Sequence, residues 1–381
     1  MSASPDFPEP SAAALEVSSA LSREIHDAIA RAGGWLDFAR YMELALYSPG
    51  LGYYSAGSTK LGPAGDFTTA PELTDLLGRA LARTLRAELA GSRSPLILEL
   101  GAGSGALAAQ ILDALGDASV AYRILEPSAD LRERQRRALA RFGDRIAWLD
   151  RLPEEPFDGA VVANEVLDAL PVSCFVKRGG RVLPRGVIAN GRGFAWADGP
   201  ENDELGASVA ALEAALGTPL PEGFRSELVP RLPAWFASVA APLARGCLLF
   251  VDYGLVRREL YHVQRSSGTL ICHYRHRAHA DPFLYPGLQD ISAWVDFSAC
   301  CDAARAAGLC VTGFTTQAQF LLATLVAEPP SAAVDAASLR ALSALKTLVL
   351  PGEMGERFKV LALRKGDGGE PLPGRDFRSR L

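Results

Sequence analysis

Residues 96–105, L-I-L-E-L-G-A-G-S-G, limit the fold more than any other stretch of the chain. Leu96, Ile97 and Leu98 form an apolar run with no polar alternation, as a strand buried on both faces of a parallel sheet requires. Glu99 interrupts the run just before a turn of alternating glycines, Gly101, Gly103 and Gly105. Leu107, Ala108, Ile111, Leu112 and Leu115 then recur at three- and four-residue spacing, and the pattern stops at Gly116, which predicts a helix. Strand, glycine turn and helix make the first unit of a nucleotide-binding α/β sheet. In that unit glycine lets backbone approach a ligand closely, and the helix start offers free N–H groups.

The glycines alone do not choose the ligand, because Gly101-x-Gly103-x-x-Ala106 also fits the permissive NAD fingerprint. Glu99 tilts the choice. A carboxylate ahead of the glycines repels a pyrophosphate but suits the cationic amino-acid end of S-adenosylmethionine. Some 25 residues further on, Tyr122-Arg123-Ile124-Leu125-Glu126 reads as a second strand ending in an acid, placed to hold ribose hydroxyls. A plain βα turn with no ligand is the alternative.

At 381 residues the chain suits one large domain with insertions, or two domains. Its net charge of −5 gives no signal for nucleic acid. No apolar run is long enough to span a membrane. The start carries Asp6, Glu9 and Glu16 and no base before Arg23, unlike a secretory signal or a mitochondrial presequence, so a bacterial cytoplasm is expected. Six cysteines, in mostly apolar stretches and without C-x-x-C, fit buried thiols in a reducing compartment.

Taken in order, residues 1–17, rich in Pro, Ala and Ser, read as a loose tail, with a helix capped by Ser18 or Ser19 after it. A second helix is expected over residues 35–47. Gly65-Asp66-Phe67-Thr68-Thr69 reads as a lid over the ligand. Thr69-x-x-Glu72 reads as the capping box of an amphipathic helix that runs to Gly91. The arginine-dense helix after Glu126 is read as a solvated face. A third strand ends at Asp150, placed to receive an adenine amino group. A fourth runs into Asn164, Glu165 and Asp168, where ligands bind in open α/β sheets. Gly179-Gly180 and Asn190-Gly191 mark hairpins, so residues 172–245 read as an antiparallel insertion. Residues 247–254, 309–314 and 358–363 are the remaining strands. Cys272-His273-x-x-His276-x-x-His279 has metal-ligand residue types but completes no structural-zinc spacing, so no metal is expected and His276 is read as a pocket residue.

Several stretches together resemble one family. They are Ala45-Leu-Tyr-x-Pro-Gly-x-Gly-Tyr-Tyr54, Gly65-Asp-Phe-Thr-Thr-x-Pro-Glu72, Glu99-x-Gly-x-Gly-x-Gly105, Asn164-Glu-x-Leu-Asp-Ala-Leu-Pro171, Val251-Asp-Tyr-Gly254, Gly268-Thr-Leu270 with His276, Pro286-Gly-x-Gln-Asp-Ile291, Val295-Asp-Phe297, Gln319-Phe-Leu321 and Met354-Gly-x-x-Phe-Lys-Val360. In collinear order from about residue 20 to about 363 they resemble the MidA-like family of S-adenosylmethionine-dependent methyltransferases. That family includes the mitochondrial complex I assembly factor that methylates protein arginine. The Gly65–Glu72 and Asn164–Pro171 stretches are its specific ones.

The resemblance implies a doubly wound α/β sheet of the class I methyltransferase (Rossmann-like) kind, with an N-terminal helical layer and an antiparallel insertion. The expected division is a tail (1–17), a helical layer with its lid (18–91), the first half of the core (92–171), the insertion (172–245) and the second half of the core (246–381). S-adenosyl-L-methionine is the expected cofactor, held by Gly65, Phe67, Thr68, Thr69, Glu99, Gly101, Gly103, Gly105, Glu126, Asp150 and Asn164. Glu165, with Asp168 or Asp252 as second acid and His276 as proton acceptor, is expected to clamp a substrate arginine. The implied partner is a protein substrate, with a respiratory complex I subunit as candidate; a homodimer stays open. A non-catalytic assembly chaperone and a small-molecule amine methyltransferase are the competing readings.

Overall fold

The computed structural model describes residues 7–55, 68–90, 92, 94–116, 119–325, 336–368 and 370–381, with the side chains of 336–338 outside the description. Gly65 and Phe67, and with them the centre of the expected lid, lie outside the described residues. The described residues cluster into two compact units, one drawn from within 1–67, 171–229 and 263–293, the other from 68–170, 230–262 and 294–381. Elements below are numbered along the whole chain.

The first unit holds helices α1 (Ala12–Arg31), α2 (Phe38–Tyr47) and α7 (Asp203–Leu216). Its five-stranded antiparallel sheet is β1 (Leu36–Asp37), β7 (Arg181–Asn190), β6 (Ser173–Arg178) and β9 (Arg225–Leu228) in that order, with β8 (Gly193–Asp198) also on β7. The expected hairpins form. Gly179 and Gly180 (φ 59° and 73°) turn β6 into β7, and Gly191 (φ 60°) turns β7 into β8. A smaller antiparallel sheet joins β12 (Arg277–His279), β11 (Ile271–Tyr274) and β13 (Asp290–Ser292). Leu21, Ile25, Phe38, Tyr41, Val187, Cys272 and Ile291 share one core.

Three expectations change here. Residues 12–17 of the expected tail are helix: Ser11 accepts the Ala14 N–H at 3.3 Å and starts α1 seven residues before Ser18. Leu36 and Asp37, expected in the second helix, pair with β7, and the Asp37 carboxylate caps α2 through the Ala39 N–H at 2.8 Å. Residues 263–293, expected in the second half of the core, cluster with the insertion.

The second unit is the doubly wound body. Its main sheet runs β15 (Cys310–Thr316), β16 (Phe358–Lys365), β10 (Leu243–Leu255), β5 (Phe157–Asn164), β2 (Leu96–Leu100), β3 (Ala121–Leu125), β4 (Ile146–Leu149), with β14 (Val295–Asp296) also beside β10. The strands from β10 to β4 are parallel, and β16 runs antiparallel to both its neighbours. Helices α3 (Ala70–Leu73), α4 (Leu76–Leu89), α5 (Ala106–Leu115), α6 (Ala129–Leu139), α8 (Leu232–Ala240), α9 (Arg257–Leu260), α10 (Phe297–Ala306), α11 (Gln317–Leu325) and α12 (Ala336–Val349) complete the unit. The apolar stripe of α4 (Leu77, Leu81, Leu85) and that of α5 (Leu107, Ile111, Leu115) bury against Ile97, Tyr122, Val162 and Leu249 of the sheet. Ile97 on this face and Leu98 on the opposite one are both fully buried, which is why the run before Glu99 has no polar alternation.

At the amino ends of the central strands backbone packs against backbone. A Cβ on Gly159 would lie 1.9 Å from the Leu96 carbonyl oxygen, and one on Gly246 1.8 Å from that of Gly159. At the opposite ends, strand order reverses between β2 and β5, and such a switch point opens a crevice at the carboxyl ends of an α/β sheet. Register aligns Leu100 with Leu125 and Ala163, and Val251 with Asn164. Gly101, Glu126, Asn164 and Asp252 therefore follow one another along a single edge.

Candidate cofactor and acceptor site

The glycine turn follows β2 with all three glycines left-handed, at φ 62° (Gly101), 56° (Gly103) and 86° (Gly105). L side chains resist this region, so the turn needs glycine for its path as well as for room. Gly101 donates to the Leu125 carbonyl at 3.1 Å and Gly105 to that of Ala102 at 2.8 Å. Ser104 accepts the Ala106 N–H at 3.2 Å at the start of α5.

Glu72 holds the other side of this turn. Thr69 makes no side-chain cap, so the expected capping box does not form. The Glu72 carboxylate accepts the Ser104 hydroxyl instead. Gln110 of α5 donates to the carbonyls of Pro71 (2.7 Å) and Thr74 (3.2 Å), which breaks the expected single helix into α3 and α4. Thr68 and Thr69, both half-buried, lead into this clamped turn.

Glu99 is 2% exposed and accepts the Tyr122 hydroxyl at 2.8 Å. Burial pushes its carboxyl up to about 8; the Tyr122 hydrogen bond opposes the rise and the Glu126 charge adds to it. Glu126 ends β3, buried, and accepts the Ser128 N–H at 3.0 Å and the Gln135 amide at 3.1 Å.

Gln135 is the residue that sequence reasoning missed. Fully buried, it also donates to the Gly103 carbonyl at 2.9 Å and accepts the Trp148 indole N–H at 2.8 Å. It lies between Leu131 and Leu139 on the one apolar stripe of a helix otherwise read as solvated arginine, and that spacing was the available signal. Most of that arginine face behaves as expected, with Arg134 paired to Asp130 and Arg137 to Glu133. Arg132 differs: it donates to the Glu126 carbonyl and pairs with Asp150. Asp150, expected at an adenine, is exposed at the end of β4 with Arg132 as its partner.

The acidic edge forms beside β5. Asn164 donates to the Glu165 carboxylate at 3.2 Å, while its own Oδ1 is buried with no hydrogen-bond partner among the described residues. Glu165 has φ 52°, a left-handed backbone that costs a non-glycine residue about 1–2 kcal/mol. Asp168 is buried close by. Asp252, expected as the second acid of a clamp, is 1% exposed and turned to backbone: one oxygen accepts the N–H groups of Val166, Leu167 and Asp168, and the other that of Tyr253. Burial and the Glu165 charge push its carboxyl above the usual range, and these N–H donors pull it part of the way back. His276 belongs to the other unit, exposed with Arg275 in the two-residue turn between β11 and β12.

These groups fit S-adenosylmethionine better than a dinucleotide. A buried carboxylate with no cationic partner among the described residues, a second acid at the next strand end, a side-chain-free turn and an amide oxygen with no partner among them suit a cation joined to a ribose diol. A pyrophosphate would meet two carboxylates. Among the described residues no three or more His, Cys, Asp or Glu gather as a metal site, and no helix is long and apolar enough to cross a membrane.

Comparison with known proteins agrees with the geometry. The model of a family described as S-adenosyl-L-methionine-dependent methyltransferases matches residues 76–315. The chain is 28% identical to the mouse mitochondrial protein arginine methyltransferase NDUFAF7, over 87% of this chain and 81% of that one. It is also 28% identical to the Drosophila melanogaster NDUFAF7 homolog, over 94% and 88%. A crystal structure from Burkholderia thailandensis, bound to S-adenosyl-homocysteine, is 42% identical with a TM-score of 0.88, over 97% of this chain and 99% of that one.

Proposed function

The chain belongs to the family of S-adenosyl-L-methionine-dependent methyltransferases, and from that premise we propose that it methylates an arginine side chain of a protein, with Glu165 as the acceptor clamp. The observation that carries this reading is Glu165 itself. An ionisable side chain sits on strained backbone at the carboxyl end of β5, where glycine or asparagine would be cheaper. The relatives' names supply the acceptor class.

When bound, S-adenosylmethionine supplies a methyl group on a positively charged sulfur. Glu99, with Tyr122 steadying one oxygen, receives the ammonium end. Glu126, fixed by Ser128 and Gln135, would hold the ribose diol, and the turn from Gly101 to Gly105 would leave room for the cofactor beside it. Asn164 faces the same crevice with a free acceptor oxygen. Glu165 would pair with the guanidinium fork, hold one nitrogen toward the methyl group and take the proton which that nitrogen sheds as the new N–C bond forms and the methyl C–S bond breaks, with S-adenosylhomocysteine as the leaving group. Most of the rate comes from this positioning, since an in-line displacement needs little covalent help.

We place the protein in a reducing compartment, the bacterial cytoplasm, which its six free thiols suit; a respiratory complex I subunit is the first acceptor to examine. The test is incubation with labelled cofactor and a pooled protein extract, followed by digestion and mass spectrometry. Methylarginine on a protein is expected; label confined to small molecules overturns the reading. Glu165→Gln should leave S-adenosylhomocysteine affinity within a few-fold and lower transfer roughly 10²-fold. Wild-type turnover by that variant sinks the clamp, and loss of cofactor affinity moves Glu165 into the cofactor pocket.

A further inference from the structure

We propose that Asp252 is a positioning residue that builds the loop after β5 and fixes the backbone of Glu165. This rests on the reading of Glu165 as the acceptor clamp. Asp252 follows Val251, whose carbonyl accepts the Glu165 N–H at 2.9 Å. The next three N–H groups all turn onto one Asp252 oxygen, from Val166 at 3.1 Å, Leu167 at 2.9 Å and Asp168 at 3.3 Å. Consecutive N–H groups converge on a single point only where the chain curls into a nest, a backbone shape that ordinarily closes around an anion. Here a carboxyl group of the chain itself fills that place, and the chain enters the nest through the left-handed Glu165.

Two further facts separate this role from catalysis and from ordinary core packing. Asp252 is 1% exposed, with three backbone N–H groups on one oxygen and a fourth on the other, so its carboxyl is committed to the loop rather than to an acceptor. Among the described residues no Lys, Arg or His forms an ion pair with it, although buried carboxylates ordinarily find one. Its hydrogen-bond donors among the described residues are backbone N–H groups. The nest directs Glu165 into the crevice and is built on one Asp252 oxygen, while the other accepts the Tyr253 N–H.

The experiment is a double-mutant cycle of Asp252→Asn and Glu165→Gln in the full chain, with three readouts. These are amide exchange at residues 166–168, S-adenosylhomocysteine affinity, and methylarginine formed on the pooled protein extract. An asparagine cannot accept all four N–H groups. Asp252→Asn should speed exchange at Val166 and Leu167, keep cofactor affinity within a few-fold, and lower transfer roughly 10- to 10²-fold, as misplacement of a reacting group does. In the Glu165→Gln chain it should lower transfer no further, because the group it positions is already silent. A purely structural role multiplies the two losses, and that result overturns the proposal. So does unchanged exchange at 166–168. If Glu165→Gln alone turns over at the wild-type rate, the clamp reading falls, while the exchange measurement still decides the Asp252 nest. Should Asp252→Asn not fold, adding Glu165→Gly is expected to restore it, since glycine holds the left-handed entry without strain; failure of that double variant overturns the proposal as well.

Discussion

Replacing Glu99 by glutamine should make the protein more stable and a poorer cofactor binder, with both effects dependent on pH. Glu99 is sealed in the sheet, with Tyr122 its donor among the described residues, and its carboxyl stands at about 8 against an ordinary 4.5. In the free protein the folded state keeps a proton that the unfolded chain has already lost. Stability from this group is therefore full below the unfolded value and is lost as pH rises through the folded one. Inside that window each pH unit costs ~1.4 kcal/mol, so wild type loses roughly 3 kcal/mol between about pH 5.5 and pH 8.5 from this one side chain. Glutamine keeps the shape and the Tyr122 contact and does not titrate. The stability difference between variant and wild type should therefore widen by roughly 3 kcal/mol across that range, as read from urea unfolding midpoints. Cofactor should close the gap in wild type alone. At pH 7 Glu99 is about nine-tenths protonated, so seating an ammonium group should release close to one proton, measurable as buffer-dependent heat. A pH-independent difference, with no proton released on S-adenosylhomocysteine binding, would show that Glu99 is already ionised in the fold and would refute this account.

Two further outcomes follow from backbone geometry. Glu165→Gly should raise thermal stability by about 1 kcal/mol, through relief of left-handed strain, while abolishing methyl transfer; a destabilised variant would mean the strain is absent in solution. Gly159→Ala should cost roughly 3 kcal/mol or more and leave little folded protein in a solubility assay, because its Cβ meets the Leu96 carbonyl; normal yield and unfolding would show that the central strands can part.

The β2–α5–β3 unit was legible because burial on both faces leaves an unbroken apolar run, and the glycines that end it have few other uses. The arrangement around it was less so. Thr69-x-x-Glu72 has the spacing of a capping box, but Ser104, 32 residues away, takes the carboxylate, and a distant partner leaves no trace in local spacing. The same holds for Asp252, whose hydrogen bonds run to residues 84 to 86 positions earlier. Residues 263–293 were assigned to the wrong half of the chain because β11, β12 and β13 are only three or four residues long. Their turn also uses Arg275 and His276 where Asn-Gly would have announced a hairpin. The acids at the ends of β3 and β5 stand where position alone puts them, at the strand ends beside the switch point.

The hydrogen bonds of Gln135 also give the protein a built-in optical reporter. The Trp148 indole is bonded to the Gln135 amide, whose other end holds both Glu126 and the Gly103 carbonyl, and the Arg136 guanidinium lies 5.4 Å from the centre of the indole ring. Indole emission responds to the polarity and hydrogen bonding around its nitrogen. A ligand that draws on Glu126 or settles against Gly103 alters the amide to which that nitrogen donates. With the other four tryptophans replaced, occupancy of the turn can thus be followed as a change in Trp148 emission, without a label and before any acceptor is known.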